Sequence, residues 1–478
     1  MVNDTNGNVP VAHELESFLP QPGKSNEKTV KKLEYSLSQD TESGDDFDPF
    51  AERNVKNPTS NTDTLIHLLK ASLGTGILSM PKAFQASGLF AGVFFCVLVA
   101  VICTHCAYIL IKCAHVLYKK TKKTSMTFAE VGAAALANGP ECIKKFSFAF
   151  KCCITGLLFA TYFGTCSVYT VLIAENIVKV LDSNIPKGVD EEHVVNSQVI
   201  MLILLPPLIL MVWIRNLKYL APVSMIANIF MGLGLGITFY FLVGTGSLNL
   251  QATKPIKHPS YWPEFFSLTI FAMEAIGVVM PVENSMRTPQ AMLGPCGVLN
   301  KGMSGVTVVY ILLGFLGYLR YGEFVKDSIT LNLVAEDGDP PLYNILGQVV
   351  QVSIALAVYC TFGLQFFVCV EIMWNGIKAK FTKRPELAEY ITRTIMVTLC
   401  VLLAVAVPHI APFMGIIGAF CFSLLGLIAP AFIEIITFWD IGFGPCKYLI
   451  WKNILVVLFG LFALVFGTKD AIINMMSK

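Results

Sequence analysis

Ser72-Leu73-Gly74-Thr75-Gly76-Ile77-Leu78-Ser79-Met80-Pro81 puts two glycines and a proline inside an apolar run that opens near Thr64. Glycine loses the most backbone entropy on ordering, and proline lacks the N–H that an interior helical turn needs, so a helix here is weak at its middle. In lipid every backbone group left without a partner is costly. A break is therefore stable only where it faces protein, water or a ligand. A second stretch repeats the pattern. Phe271-Ala272-Met273-Glu274-Ala275-Ile276-Gly277-Val278-Val279-Met280-Pro281-Val282-Glu283-Asn284 is weakened by Gly277 and Pro281 and carries Glu274 among apolar residues.

Outward from these two stretches the chain reads as membrane protein. Of its 478 residues 54% are hydrophobic and 14% charged, whereas a soluble domain is about 25% charged. Stretches of about 20 mostly apolar residues, long enough to span a bilayer, are Thr64–Met80, Leu89–Lys112, Phe148–Val178, Gln198–Ile214, Leu220–Val243, Pro263–Val282, Gly305–Leu319, Leu342–Trp374, Tyr390–Val407, Ala411–Phe438 and Tyr448–Gly467. The expected fold is an all-α polytopic membrane protein of about eleven transmembrane helices. Residues 1–61 are polar and read as a disordered cytosolic tail, 62–468 as the membrane domain, and 469–478 as a short extracellular or luminal tail.

Basic residues fix the expected orientation. Lys119, Lys120, Lys122 and Lys123, then Arg215 and Lys218, then Arg287 and Lys301, then Lys378, Lys380, Lys383 and Arg384 occupy alternate loops. The positive-inside rule places those loops, and the N-terminus, in the cytosol. The opposite loops are acidic, with Asp190, Glu191 and Glu192 in one and Glu336, Asp337 and Asp339 in another. The net charge of +2 points to no nucleic-acid partner. No nucleotide loop, catalytic triad signature or zinc-ligand spacing occurs, so neither an enzyme nor a bound metal is expected. The 14 cysteines lie in apolar or cytosolic segments and read as free thiols.

The two weakened helices are the first and the sixth, matching members of two five-helix halves. Breaks at matching positions of inverted repeats are the best sequence pointer to a transporter's binding site. Half-helix N-termini suit a carboxylate and freed carbonyls an ammonium, which together describe a zwitterionic amino acid. The candidate substrate-binding residues are Ser72, Gly74, Thr75, Gly76, Phe271, Glu274, Gly277 and Tyr359. His67 and Glu274 are the candidate proton carriers: histidine titrates near neutrality, and burial raises a carboxyl towards it. Lys70 reads as structural glue to a carboxylate such as Glu371 or Glu434, and His105 as a satisfied core histidine.

Ile66-His67-Leu68-Leu69-Lys70 followed by Gly74-Thr75-Gly76-Ile77-Leu78 and Pro81 resembles the first-helix signature of the proton-coupled amino acid transporters, within the amino acid/auxin permease group. The resemblance continues at Cys166-Ser167-Val168-Tyr169, at Asn216-Leu217-Lys218-Tyr219-Leu220-Ala221-Pro222, and from Glu274 to Asn284. It extends from about Thr64 to Gly467 and includes insect members of the group. It implies a LeuT-like five-plus-five inverted repeat with one extra C-terminal helix. It implies symport of alanine, glycine or proline with protons, driven by a proton gradient without a cofactor. His67 matches a family histidine associated with proton coupling. Some members carry an outer-loop disulfide and glycans, for which this chain has neither the cysteines nor the sequons. A sodium-coupled carrier of the same fold stays open. So does an amino-acid-sensing transceptor with little flux, with nutrient-signalling partners at the plasma membrane or the lysosomal or late endosomal membrane.

Overall fold

Ser60 starts the first helix. Its hydroxyl accepts from the Asp63 N–H while its own N–H donates to the Asp63 carboxylate, a capping box that fixes where α1 (Asn61–Ser72) begins. The Ser60 hydrogen bonds hold the Asp63 carboxyl below its ordinary value. This computed structural model describes residues 47–55, 58–184, 196–215, 217–244, 253–273, 275–333, 341–381 and 384–477. The acidic loop residues Asp190 to Glu192 and Glu336 to Asp339, and the tail before residue 47, lie outside the described residues.

After α1 the chain extends at Gly74 and re-forms as a tight 3₁₀ turn, Thr75–Ser79, then α2 (Met80–Ser87). There follow α3 (Leu89–Thr121), α4 (Phe128–Ala137), α5 (Ser147–Asp182), α6 (Ser197–Val212) and α7 (Leu217–Gly244). The sixth crossing is again two pieces, α8 (Trp262–Met273) and α9 (Ile276–Ser285). The chain closes with α10 (Val298–Tyr321), α11 (Pro341–Ile377), α12 (Pro385–Ala406), α13 (Ile410–Thr437) and α14 (Pro445–Met476). Among the described residues there is no strand, only one isolated parallel bridge between Thr59 and Met286.

Among the described residues nine spans, with α8 and α9 counted as one, are long and apolar enough to cross a bilayer; the broken first crossing and α6 are shorter. Large apolar side chains point outward all round the bundle, among them Phe94, Leu210, Ile229 and Leu455. Only a hydrocarbon surround makes that surface stable. Two groupings position the site. The helices α1, α2 and α3 pack with α8 and α10, while α11 lies along both α5 and α7. Between them runs α13, whose middle, Ile417–Ile428, is π-helical, a form enriched at functional sites. Arg393 ties α12 to α6. Its Nη1 donates to the Val212 carbonyl (2.7 Å), and its Nη2 holds the Glu389 carboxylate at 2.8 Å.

Three expectations about boundaries are corrected. The expected tail does not run to residue 61: Asp48 onward belongs to one compact unit with the helices. Arg53 inserts between the ends of α3 and α9, and its Nη1 reaches the Glu283 carboxylate at 3.2 Å with both side chains buried. Tyr118 donates to the same carboxylate (2.9 Å), His115 Nε2 lies 2.9 Å from it, and the Phe50 ring caps His115. A single arginine and phenylalanine in a polar segment give no periodicity to read. The expected tail from residue 469 is also mostly absent, because α14 continues to Met476. Finally, α10 starts at Val298 rather than Gly305, because Asn300 and Lys301 sit in its first turn, where polar groups are tolerated.

Candidate functional site

The backbones of the two broken helices touch. A Cβ built on Gly76 would stand 2.6 Å from the Ala272 Cα, so only glycine permits this approach. Gly418 on the π-helical part of α13 is pressed as closely, its Cβ position 2.1 Å from the Ser267 carbonyl oxygen on α8. Gly74, in contrast, faces open space, with nothing within 4 Å of its Cβ position. The result is a cavity of about 80 Å³ at the two breaks.

Ser72, Gly74, Thr75, Gly76, Phe271 and Gly277 all line it. Glu274 falls in the second break, outside the described residues. Tyr359 is elsewhere: its hydroxyl donates to the Pro207 carbonyl at 2.9 Å and ties α11 to α6. His67 lies on the exposed face of α1, one turn after Asp63, and does not line the cavity. Lys70 is exposed as well, and the Glu434 carboxylate offered to it in the sequence reading is taken by Lys452 at 2.6 Å. The break in the sixth crossing falls before Gly277, and Pro281 stays inside α9. There it denies the Gly277 carbonyl the donor that an uninterrupted helix would supply.

Several residues that line the cavity or bond to its walls were not singled out as site residues in the sequence. Tyr310 on α10 is fully buried, and its hydroxyl reaches the Ala272 carbonyl (2.9 Å) and the Ser72 carbonyl. One phenol thus serves the freed carbonyls of both broken helices. Thr161, Thr165 and Tyr169 recur every four residues on α5 and present one polar stripe to the cavity. That stripe is legible as a helical period of polar residues in an apolar helix. Tyr162, whose hydroxyl covers Gly277, and Phe422 and Leu425 from α13 carry no such signal, since aromatics and leucine are everywhere in this chain.

No charged side chain is among the described residues lining the cavity. Its electrostatics come from helix ends. The C-terminal turns of α1 and α8 bring partial negative charge, while the turns opening at Thr75 and at Ile276 bring partial positive charge. Such a site holds a small dipolar ligand without a fixed counter-ion. Among the described residues no cluster of side chains could hold a metal ion.

The fold and site are those of a multi-pass membrane transport protein, not an enzyme. The chain belongs to the transmembrane amino acid transporter protein family, whose model matches residues 57–473. It is 54% identical over 474 residues to the Drosophila melanogaster protein named proton-coupled amino acid transporter-like protein pathetic, covering 98% of this chain and 95% of that one. It is 30% identical over 335 residues to vacuolar amino acid transporter 4 of Saccharomyces cerevisiae, covering 69% of this chain and 42% of the yeast protein. Among solved structures it is similar to the inward-facing conformation of the transporter Mhp1, at 14% identity, with a TM-score of 0.49 over 88% of this chain and 92% of that chain.

Proposed function

We propose that this chain is a proton-driven symporter of small neutral amino acids of the alanine, glycine and proline type. The observation that supports this most is the pairing of two helix breaks across a cavity with no charged side chain among its described lining residues. At roughly 10–15 Å³ per water, its volume suits a handful of waters, or a ligand of few heavy atoms in their place. The substrate carboxylate lies against the helix N-termini at Thr75 and Ile276, and the ammonium against the carbonyl ends of α1 and α8. Gly74, Gly76 and Gly277 let the backbone come close, and Ser72 and Phe271 shape the walls. His67 and Glu274 carry protons, so that loading is favoured from the acidic side, and the gradient replaces any cofactor. The N-terminus is cytosolic. The membrane is the plasma membrane or a lysosomal or late endosomal one, where nutrient-signalling partners meet the transporter. The names of the fly and yeast relatives support the same reading.

Labelled alanine uptake into vesicles holding the purified chain tests this. Uptake should rise with an inward proton gradient and continue when choline replaces sodium. His67→Ala should abolish the proton dependence. Loss of uptake in choline indicates a sodium-coupled carrier, and alanine binding with negligible flux indicates a sensor; either result overturns the proposal.

A further inference from the structure

His105 does not behave as a satisfied core histidine: its Nε2 is buried with no hydrogen-bond partner. One more buried atom is equally bare, Asn453 Oδ1 on α14. Beside Asn453 lies the Glu434 carboxylate, 1% exposed as a residue, whose Oε2 takes both Lys452 Nζ (2.6 Å) and Asn453 Nδ2 (2.9 Å). Cys113 joins Thr437 to the α3 side of the same nest. Native proteins rarely leave one buried polar atom bare, and where they do an ordered water or ion is the usual explanation. Two such atoms, His105 Nε2 and Asn453 Oδ1, accompany a buried carboxylate whose charge acts on the imidazole, an arrangement that ordered water would complete.

We propose that this nest of His105, Glu434, Lys452, Asn453 and Thr437 is a hydrated proton-binding site, separate from the substrate cavity, through which the coupled proton passes. The inference rests on the proton-coupled reading above. The charged groups that reach His105 are Lys452, Glu434 and Lys112. Lys112 is turned onto the Phe438 ring (4.8 Å), and Tyr108 stacks beside the imidazole. Of the other acidic groups on helices packed against α3, Glu283 of α9 is engaged with Arg53 and His115, Glu130 of α4 with Thr127 and Lys151, and Glu264 of α8 sits in the first turn of that helix. Lys452 already neutralises Glu434, so a proton that water delivers to the imidazole changes the charge of the nest by one. Water keeps the remaining protons, and release is the reverse step. The nest is mechanically tied to the substrate. The same continuous helix, α13, lines the cavity with Phe422 and Leu425 and carries Glu434 nine residues on, about 13 Å along its axis.

The test is labelled alanine uptake by the full chain in vesicles, under a fixed inward proton gradient, across external pH. The proteins compared are wild type, His105→Gln and the charge-neutral double variant Glu434→Gln/Lys452→Met. Unfolding midpoints in detergent report folding. His105→Gln should displace the pH midpoint of uptake by about one pH unit or flatten the profile, a change that mere packing loss would not produce. If His105→Gln does not fold, the double variant decides in the same way. A folded variant whose pH profile superimposes on wild type overturns this inference alone. A wild type indifferent to the gradient overturns the proton-coupled reading itself.

Discussion

Gly76→Ala is the substitution that bears most directly on the site. The added methyl would stand 2.6 Å from the Ala272 Cα and 2.8 Å from its Cβ. Carbon atoms prefer about 3.5–4.0 Å, so the first and sixth crossings must part by roughly 1 Å. Both partners are backbone or a bare Cβ, which cannot swing aside. Overpacking of this kind costs about 1–3 kcal/mol, and here the strain opens the cavity between the breaks. Gly74→Ala is the matched control. Its methyl meets nothing within 4 Å, and the residue's φ of −85° suits any side chain. It should hold or gain about 0.4–1 kcal/mol through the unfolded chain, yet lose uptake, because the methyl occupies the ligand's space. Thermal unfolding in detergent and labelled alanine uptake read the two effects separately. If Gly76→Ala melts and transports like wild type, the two broken helices are not in backbone contact and the account of the cavity is wrong.

Tyr310→Phe leaves the Ser72 and Ala272 carbonyls without their shared donor. It should cost about 1–3 kcal/mol, seen as a lower unfolding midpoint together with weaker alanine uptake. Arg53→Ala leaves the buried Glu283 carboxylate with Tyr118 and His115 but without its arginine, and should cost up to about 3–5 kcal/mol. Adding Glu283→Gln should recover part of that loss, and a fully additive double variant would contradict a direct pair. Ser60→Ala removes the cap of α1 at about 1 kcal/mol. Because Ser60 holds the Asp63 carboxyl below 3.8, the contribution is full above that pH and fades as pH falls through the lowered value. Unfolding midpoints of wild type and Ser60→Ala should therefore converge at low pH, and a constant gap would exclude the capping carboxylate as the cause.

Much of this molecule is written locally. Glycine and proline report on the backbone by themselves, so the breaks at Gly74 and beside Gly277 were legible, as were six residues that line the cavity. What escaped is what depends on a partner far away in sequence. Tyr310 looks like any aromatic in a spanning helix until its hydroxyl is placed against two carbonyls. Tyr359 looked like a lining residue, but facing α6 it does another task. His105 appeared to be an ordinary buried histidine, because nothing near it in the chain reveals that α13 and α14 bring charge to it. The length of α10 was underread because hydropathy stops at the first polar turn, whereas a helix does not.

The clasp around Glu283 has an implication for how the protein is made. Arg53 leaves the ribosome 230 residues ahead of the carboxylate it will meet. The sixth crossing therefore enters the bilayer while its acidic end still awaits a counter-charge held in a segment already emerged. Arg53, His115 and Tyr118 have all been made by then, so this late contact is completed by groups from earlier parts of the chain. A purification tag or fluorescent fusion belongs well upstream of residue 47, because a bulky cargo any nearer would hinder the docking of Arg53 on Glu283.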